Sequence, residues 1–254
     1  MYDIEMHQMS PEFRACWHAA GRHLQHQADG RLFWLRAHPH PPVLEHLSFR
    51  LGNQLFFVRV EDESGEICGP GSLHGLFSVA LEAKGCPCLL PMRRVRGGKW
   101  VADLPGWGLV LAGIGKAVDP VALITDKQIE MTEWELQEMA VQVVREHLEQ
   151  KGFELMSWQG SPGVDPSIWF VGASRKPEWV VARPAKFPLR RAALPETLDN
   201  IAASCRKVGV VGHFASVGIA SVDQPFLAED EPAVPLWRGA GMNVDFAGLE
   251  RLKV

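Results

Sequence analysis

The chain has 254 residues, which is enough for two domains of ordinary size, each with its own hydrophobic core. Its composition, 46% hydrophobic and 22% charged, is that of a globular protein and excludes extensive disorder. The net charge of −4 and the pI near 6.2 disfavour nucleic acid as a partner, because proteins that grip phosphates usually carry a basic surplus, but they leave a local basic groove open.

The first ten residues, MYDIEMHQMS, lack the basic segment and apolar run of a signal peptide. No apolar stretch reaches membrane-spanning length, and we therefore expect no membrane contact. Five cysteines form an odd number without the spacing of a disulfide framework, which predicts reduced thiols and a cytoplasmic location. Cys86 and Cys88 flank one proline, and strand alternation places both on one buried face.

The first half predicts the order helix, strand, strand, strand, helix, strand. Ser10 and Pro11 have the residue types that cap and open a helix, and Gly30 ends it. A glycine-containing turn joins two strands into a hairpin, and Gly85 closes the second helix. The predicted strands are 32–36, 47–51, 54–60, 86–93 and 100–104, and the second helix is 72–84.

The loop between the first two strands carries His38, His40, Glu45 and His46. Imidazole and carboxylate groups this close in sequence could bind a transition metal. Three prolines in the same loop favour an extended connector instead, whose side chains point in different directions. Solvated histidines are therefore the simpler interpretation.

The segment 105–120 is rich in Gly and Pro, and we predict that it joins two domains, 1–117 and 118–254. The second domain opens with a capping box, Thr132-x-x-Glu135, at the start of a helix that ends at Gly152. Its further elements are strands at 153–158, 167–172 and 178–183, a helix at 195–207 and a strand at 210–222, with possible strands near 236 and at 242–246.

The second half thus repeats the element order of the first. We predict a mixed α/β fold of two tandem helix-strand-strand-strand-helix-strand units, with the first a possible diverged copy of the second. The frequency of mixed α/β arrangements could equally explain the order, since residue identity between the halves is negligible.

Three acidic residues occupy notable positions in the second unit. Asp165 precedes the second strand, Glu178 opens the third, and Glu133 lies on the helix within the arc of the apolar residues. This order resembles the restriction endonuclease-like superfamily over about residues 130–222. Members carry Pro-Asp, a variable spacer, and then Asp or Glu, any residue, and Lys. The matching residues here are Asp165 and Glu178, with twelve residues between them.

The resemblance implies that Glu133, Asp165 and Glu178 bind Mg²⁺, an ion that prefers oxygen ligands and activates water against a phosphodiester. One required residue is missing, because Val180 stands two positions after Glu178 where the superfamily has Lys. Lys176 could replace that lysine from the other side of Glu178, so that the catalytic residues would be Asp165, Glu178 and Lys176.

Three interpretations of function follow. The preferred one is a non-catalytic protein on a degenerate nuclease-like scaffold that binds a protein partner or a small ligand. The second is a Mg²⁺-dependent DNA nuclease, and only this one requires a cofactor. The third is a polar ligand pocket around His213, although a histidine on an apolar strand is more often a satisfied core residue. Neither the partner nor the oligomeric state follows from the sequence.

Overall fold

A computed structural model describes residues 9–37, 46–224, 226 and 232–253. The chain divides into two compact units, and the boundary in the sequence lies between Gln128 and Ile129. Both units contain a mixed sheet with helices, which confirms the predicted α/β class. In the described ranges, no helix is both long enough and apolar enough to cross a membrane.

The first unit begins with helix α1, which has Ser10 as its N-cap. The elements of this unit are α1 (Pro11–Gln27), β1 (Phe33–Arg36), β2 (Leu47–Leu51), β3 (Gln54–Asp62), α2 (Leu73–Glu82), β4 (Cys86–Arg94), β5 (Trp100–Ala102), β6 (Leu109–Leu111) and β7 (Ala117–Val118). The strand order is β1-β2-β3-β4-β6-β7, with β5 paired to β4. Strands β3 and β4 are parallel, and the other pairs are antiparallel.

Helix α1 and one face of this sheet form the core of the first unit. Phe13 and Trp17 from the helix pack with Phe56 and Val58, which alternate along β3 toward the same side. Phe57 therefore points to the opposite face, where its ring fills the space next to Gly85 at the end of the α2 segment.

The second unit contains α3 (Glu133–Gln150), β8 (Glu154–Trp158), β9 (Ile168–Val171), β10 (Pro177–Lys186), α4 (Leu198–Cys205), β11 (Val211–Ser221), β12 (Met242–Asp245) and β13 (Glu250–Arg251). The strand order is β12-β11-β10-β9-β8, with β13 paired to β11. Strands β10 and β11 are parallel. Helix α3 packs against the face that carries Val180 and Ala182, whereas α4 packs against Trp179 and Val181 on the other face.

The two sheets share the order of their first four strands. In each unit three antiparallel strands are followed by a helix and then by a strand parallel to the third. The predicted element order is therefore found in both halves. A common origin of the halves stays a prediction.

The predicted junction at 105–120 is wrong, because this segment forms part of the first sheet. Strand β6 pairs with β4 and β7 pairs with β6, and their tight connection includes Gly113 at φ 81° and Gly115 at φ 73°. The chain stays with the first unit beyond β7, since the Asn53 amide donates hydrogen bonds to Thr125 and to the Lys127 carbonyl. The glycines in this segment serve hairpin turns, not a linker.

Candidate functional site

Glu178 and His213 form a polar pair in the sheet of the second unit. The parallel register sets Glu178 opposite Val211 and Val180 opposite His213, so the two polar side chains share the α3 face. The imidazole Nε2 lies 2.7 Å from the carboxylate Oε2, and both side chains are largely buried. Gly172 makes room for the carboxylate, since a Cβ at that position would meet Glu178 Oε1.

A carboxylate next to an imidazole fixes the orientation of the ring and can exchange a proton with a group bound beside it. The His213 ring also lies next to Phe170, with 5.7 Å between the ring centroids. Phe170 and Val180 belong to the apolar core under α3. The pair therefore lies at the margin of a hydrophobic core, where each partner satisfies the other.

Asp165 forms a separate ion pair with Arg183. The guanidinium donates from Nη1 to Oδ1 at 3.0 Å and from Nη2 to Oδ2 at 2.5 Å, a two-point contact that fixes both side chains. This pair lies on the α4 side of the sheet. There Asp165 adds to the effect of burial, which is the larger cause, in raising the pKa of the Cys205 thiol to about 12.

The structure does not bring Asp165 and Glu178 together. Strands β9 and β10 are antiparallel, so the start of β9 lies beside the later part of β10. Asp165 contacts Arg183, which is five residues after Glu178 and therefore about 16 Å along the strand. Arg183 and Glu178 also point to opposite faces, because side chains alternate along a strand. The predicted shared Mg²⁺ site is thus wrong, since ligands of one Mg²⁺ lie about 2.1 Å from it.

Neither pair includes Glu133 or Lys176. Glu133 has the inward helical phase that was predicted, but it is the first residue of α3 and its side chain is 73% exposed. Its carboxylate lies 3.3 Å from the ammonium of Lys186. Lys176 is exposed in the turn between β9 and β10, and Val180 is fully buried where a nuclease has lysine.

The predicted histidine cluster is described only at its end. His38, His40 and Glu45 lie outside the described residues. His46 is buried beside Phe57, and its two ring nitrogens have no hydrogen-bond partner within the described ranges. Burial, and to a smaller extent the charge of Arg36, lowers the pKa of His46 to about 3. Among residues 9–37, 46–224, 226 and 232–253, no three His, Cys, Asp or Glu side chains form a group that could hold a metal ion.

A buried ion pair in the second unit was not predicted. The Arg238 guanidinium donates to both Glu135 carboxylate oxygens over 2.8–3.0 Å, while Glu135 also completes the capping box with Thr132. By helical phase Glu135 and Glu138 fall outside the apolar arc of α3, yet both are buried. Arg238 covers Glu135, whereas Gly160 packs against Glu138. No local pattern in the sequence indicates this long-range contact.

Comparison with known proteins covers the second unit alone. Residues 134–252 match the model of a domain of unknown function, DUF8840, over slightly less than half of the chain. No curated protein and no solved structure matches the chain. The matched segment runs from the first turn of α3 to just beyond β13, and it includes both the Asp165–Arg183 and the Glu178–His213 pairs.

Proposed function

We propose that this chain is a non-catalytic interaction protein whose second unit is a degenerate restriction endonuclease-like scaffold. The observation that carries the proposal is the pairing of each predicted acid with a basic side chain of its own unit. Asp165 binds Arg183, and Glu178 binds His213 on the other face of the sheet. The apolar Val180 at the lysine position of the nuclease motif supports the same conclusion. The element order and the mixed sheet support the scaffold.

A plasmid-nicking assay with Mg²⁺ or Mn²⁺ tests the absence of nuclease activity. Wild-type protein and the variants Asp165→Ala and Glu178→Ala should all leave supercoiled plasmid intact. Nicking by the wild type that either substitution abolishes would establish the competing interpretation, a Mg²⁺-dependent DNA nuclease. Residual nicking that is equal in all three proteins indicates a contaminant and supports the proposal.

The interaction surface that we propose is an apolar stripe on α2, formed by Leu73, Phe77 and Leu81. These residues recur every fourth position, and they are 44%, 41% and 80% exposed. Ile114, 73% exposed, extends the stripe, because the neighbouring Gly113 packs against the Phe77 ring. Clustered exposed apolar side chains mark interaction sites more often than single ones do.

The fold itself does not require this stripe. Helix α4 has the same place in the element order of the second unit, and its apolar residues Leu198 and Ile201 pack inward. Its exposed positions include Asp199 and Asn200. The apolar outer face of α2 is therefore a particular property of the first unit.

The occupant that we propose for the α2 stripe is a second copy of this chain. A two-fold axis at Phe77 would set Leu73 of one copy against Leu81 of the other. Glu82 lies in the last turn of α2, where a negative charge opposes the helix dipole, and the first turn has no acidic residue. Antiparallel pairing places Glu82 beside the first turn of the second copy, where its charge is favourable.

The size of the stripe limits the strength of this association. A helix of ten residues is about 15 Å long, which is too short to bury the roughly 800 Å² per partner of a stable complex. We therefore expect a weak dimer whose average mass increases with concentration. Sedimentation equilibrium should show this increase for the wild type and a constant monomer mass for Leu81→Glu.

The matched control is Leu189→Glu, which places the same charge at another exposed leucine, in the second unit. This variant should associate as the wild type does. A wild type that stays monomeric at the highest attainable concentration, or equal loss of association in both variants, would refute the α2 stripe as a self-association surface. The cytoplasmic setting stays part of the proposal, and the five free cysteines support it.

A further inference from the structure

Two thiols meet at the start of β4 in the first unit. Cys86 and Cys88 lie two positions apart on the α1 face of the sheet, with 3.7 Å between their sulfur atoms. Cys86 is half-buried and Cys88 is fully buried in the core. One cysteine of the pair is therefore partly exposed, and the other is enclosed in the core.

The two thiols differ in acidity because they interact. The hydrogen bond between the two thiols lowers the pKa of Cys86, against the opposing effect of burial. The same hydrogen bond, together with burial, raises the pKa of Cys88. Cys16 and Cys205 form no such pair, and burial raises the pKa of each thiol to about 12.

Bond formation between the two sulfur atoms needs a movement of the backbone at the start of β4. Residues two apart in a strand have Cα atoms about 6.6 Å apart, near the upper end of the range of 4.4–6.8 Å found for disulfides. Bond formation requires the sulfur atoms to approach from 3.7 Å to about 2.05 Å. Side-chain rotation alone cannot supply this movement, because Cβ atoms two residues apart in a strand are also about 6.6 Å apart, against about 3.8 Å in a disulfide. The backbone at the start of β4 must therefore bend as the bond forms.

We propose that Cys86 and Cys88 form a dithiol site that reacts with hydroperoxides. The Cys86 sulfur attacks one peroxide oxygen, the O–O bond breaks, and Cys86 becomes a sulfenic acid while the first water leaves. The Cys88 sulfur then attacks the Cys86 sulfur, the S–O bond breaks, and the departing hydroxide takes the Cys88 proton as the second water. The two thiols lose two electrons in total, and hydrogen peroxide receives them.

Mass spectrometry of the full-length protein tests this reaction directly. The background is Cys68→Ser, because Cys68 is an exposed thiol that would also react. Trypsin releases Cys86 and Cys88 together in the peptide 85–93, which lies between Lys84 and Arg94. After equimolar hydrogen peroxide and then iodoacetamide, this peptide should have lost two hydrogen atoms and carry no alkyl group. Treatment with dithiothreitol should restore alkylation of both cysteines.

Two single variants in the same background separate the roles of the thiols. In Cys88→Ser the reaction should stop at the Cys86 sulfenic acid, which dimedone traps. In Cys86→Ser the buried Cys88 should not react with dimedone. The proposal is overturned if Cys86 and Cys88 both stay alkylatable at peroxide levels that oxidise Cys68 in the parent protein. It is also overturned if Cys88 is labelled when Cys86 is absent. The first criterion needs no variant at the two cysteines, so it holds even if a single variant folds poorly.

Discussion

Replacing Arg238 by Met should strongly destabilise the second unit. The Arg238 side chain is 1% exposed and its partner Glu135 is 6% exposed, so water cannot replace the lost guanidinium. Methionine preserves much of the volume and removes the charge. Among the described residues, Glu135 then keeps only the Thr132 amide and hydroxyl as donors, which it uses in the capping box.

Breaking a buried ion pair by removing one partner costs about 3–5 kcal/mol in the free energy of unfolding, because the remaining charge is buried without compensation. For a unit of this size the loss corresponds to a decrease in Tm of roughly 10–20 °C. Urea denaturation gives the free energy, and hydrogen exchange at the α3 amides shows that the affected unit is the second one.

The matched control is Arg191→Met, because Arg191 pairs with Glu250 at the surface. Exposed pairs contribute about 0–1 kcal/mol, so this variant should unfold at nearly the wild-type urea concentration. The double variant Glu135→Leu, Arg238→Met removes both charges and should be more stable than Arg238→Met alone. The reasoning is refuted if Arg238→Met costs no more than Arg191→Met.

Three further predictions concern the other polar groups. His46 has a folded-state pKa of about 3, below the value of 6.5 for an unfolded chain, so the unfolded state binds the proton first. The first unit should therefore lose about 2 kcal/mol between pH 6.5 and pH 5, and His46→Phe should flatten that slope in urea melts recorded across this range. Asp165→Asn should lower the free energy of unfolding by about 1–3 kcal/mol, because Arg183 loses a charged acceptor, and a urea midpoint equal to that of the wild type would contradict this. Glu178→Gln should cost less than about 1 kcal/mol, since the amide can still bond His213, and should change the imidazole ¹⁵N shifts, whereas unchanged shifts would argue against the contact.

Most elements of the fold could be predicted, because their signals are local. The cap at Ser10, the capping box at Thr132 and Glu135, and the apolar periodicity of α1 and α3 each depend on a few neighbouring residues. Strands β3, β4 and β5 could also be predicted from the local sequence, because turn residues flank them. Segment 105–120 was misassigned because glycine-rich turns and linkers share a composition.

The predicted Mg²⁺ site is wrong for a reason that follows from the predicted order of the strands. Consecutive strands in a hairpin run in opposite directions, so residues at both strand starts lie at opposite ends of the pair. Asp165 and Glu178 hold such positions. The buried state of Glu138, in contrast, could not be predicted, because helical phase describes one helix and its sheet but not the loop at Gly160, which packs against Glu138.

The strand registers set Cys88 of the first unit and His213 of the second unit at equivalent places. In each unit the parallel pairing begins at the first residue of the strand that follows the second helix. This residue is Cys86 of β4 in the first unit and Val211 of β11 in the second. Cys88 and His213 lie two residues later in these strands, on the sheet face that packs against the first helix of each unit. In the first unit Cys86, nearest the strand start, is partly exposed while Cys88 is buried, whereas in the second unit Glu178 and His213 are both largely buried. In the first unit these groups are two thiols that can bond to each other. In the second unit His213 is already hydrogen-bonded to Glu178, which explains why we expect reactivity at the first position and a structural role at the second.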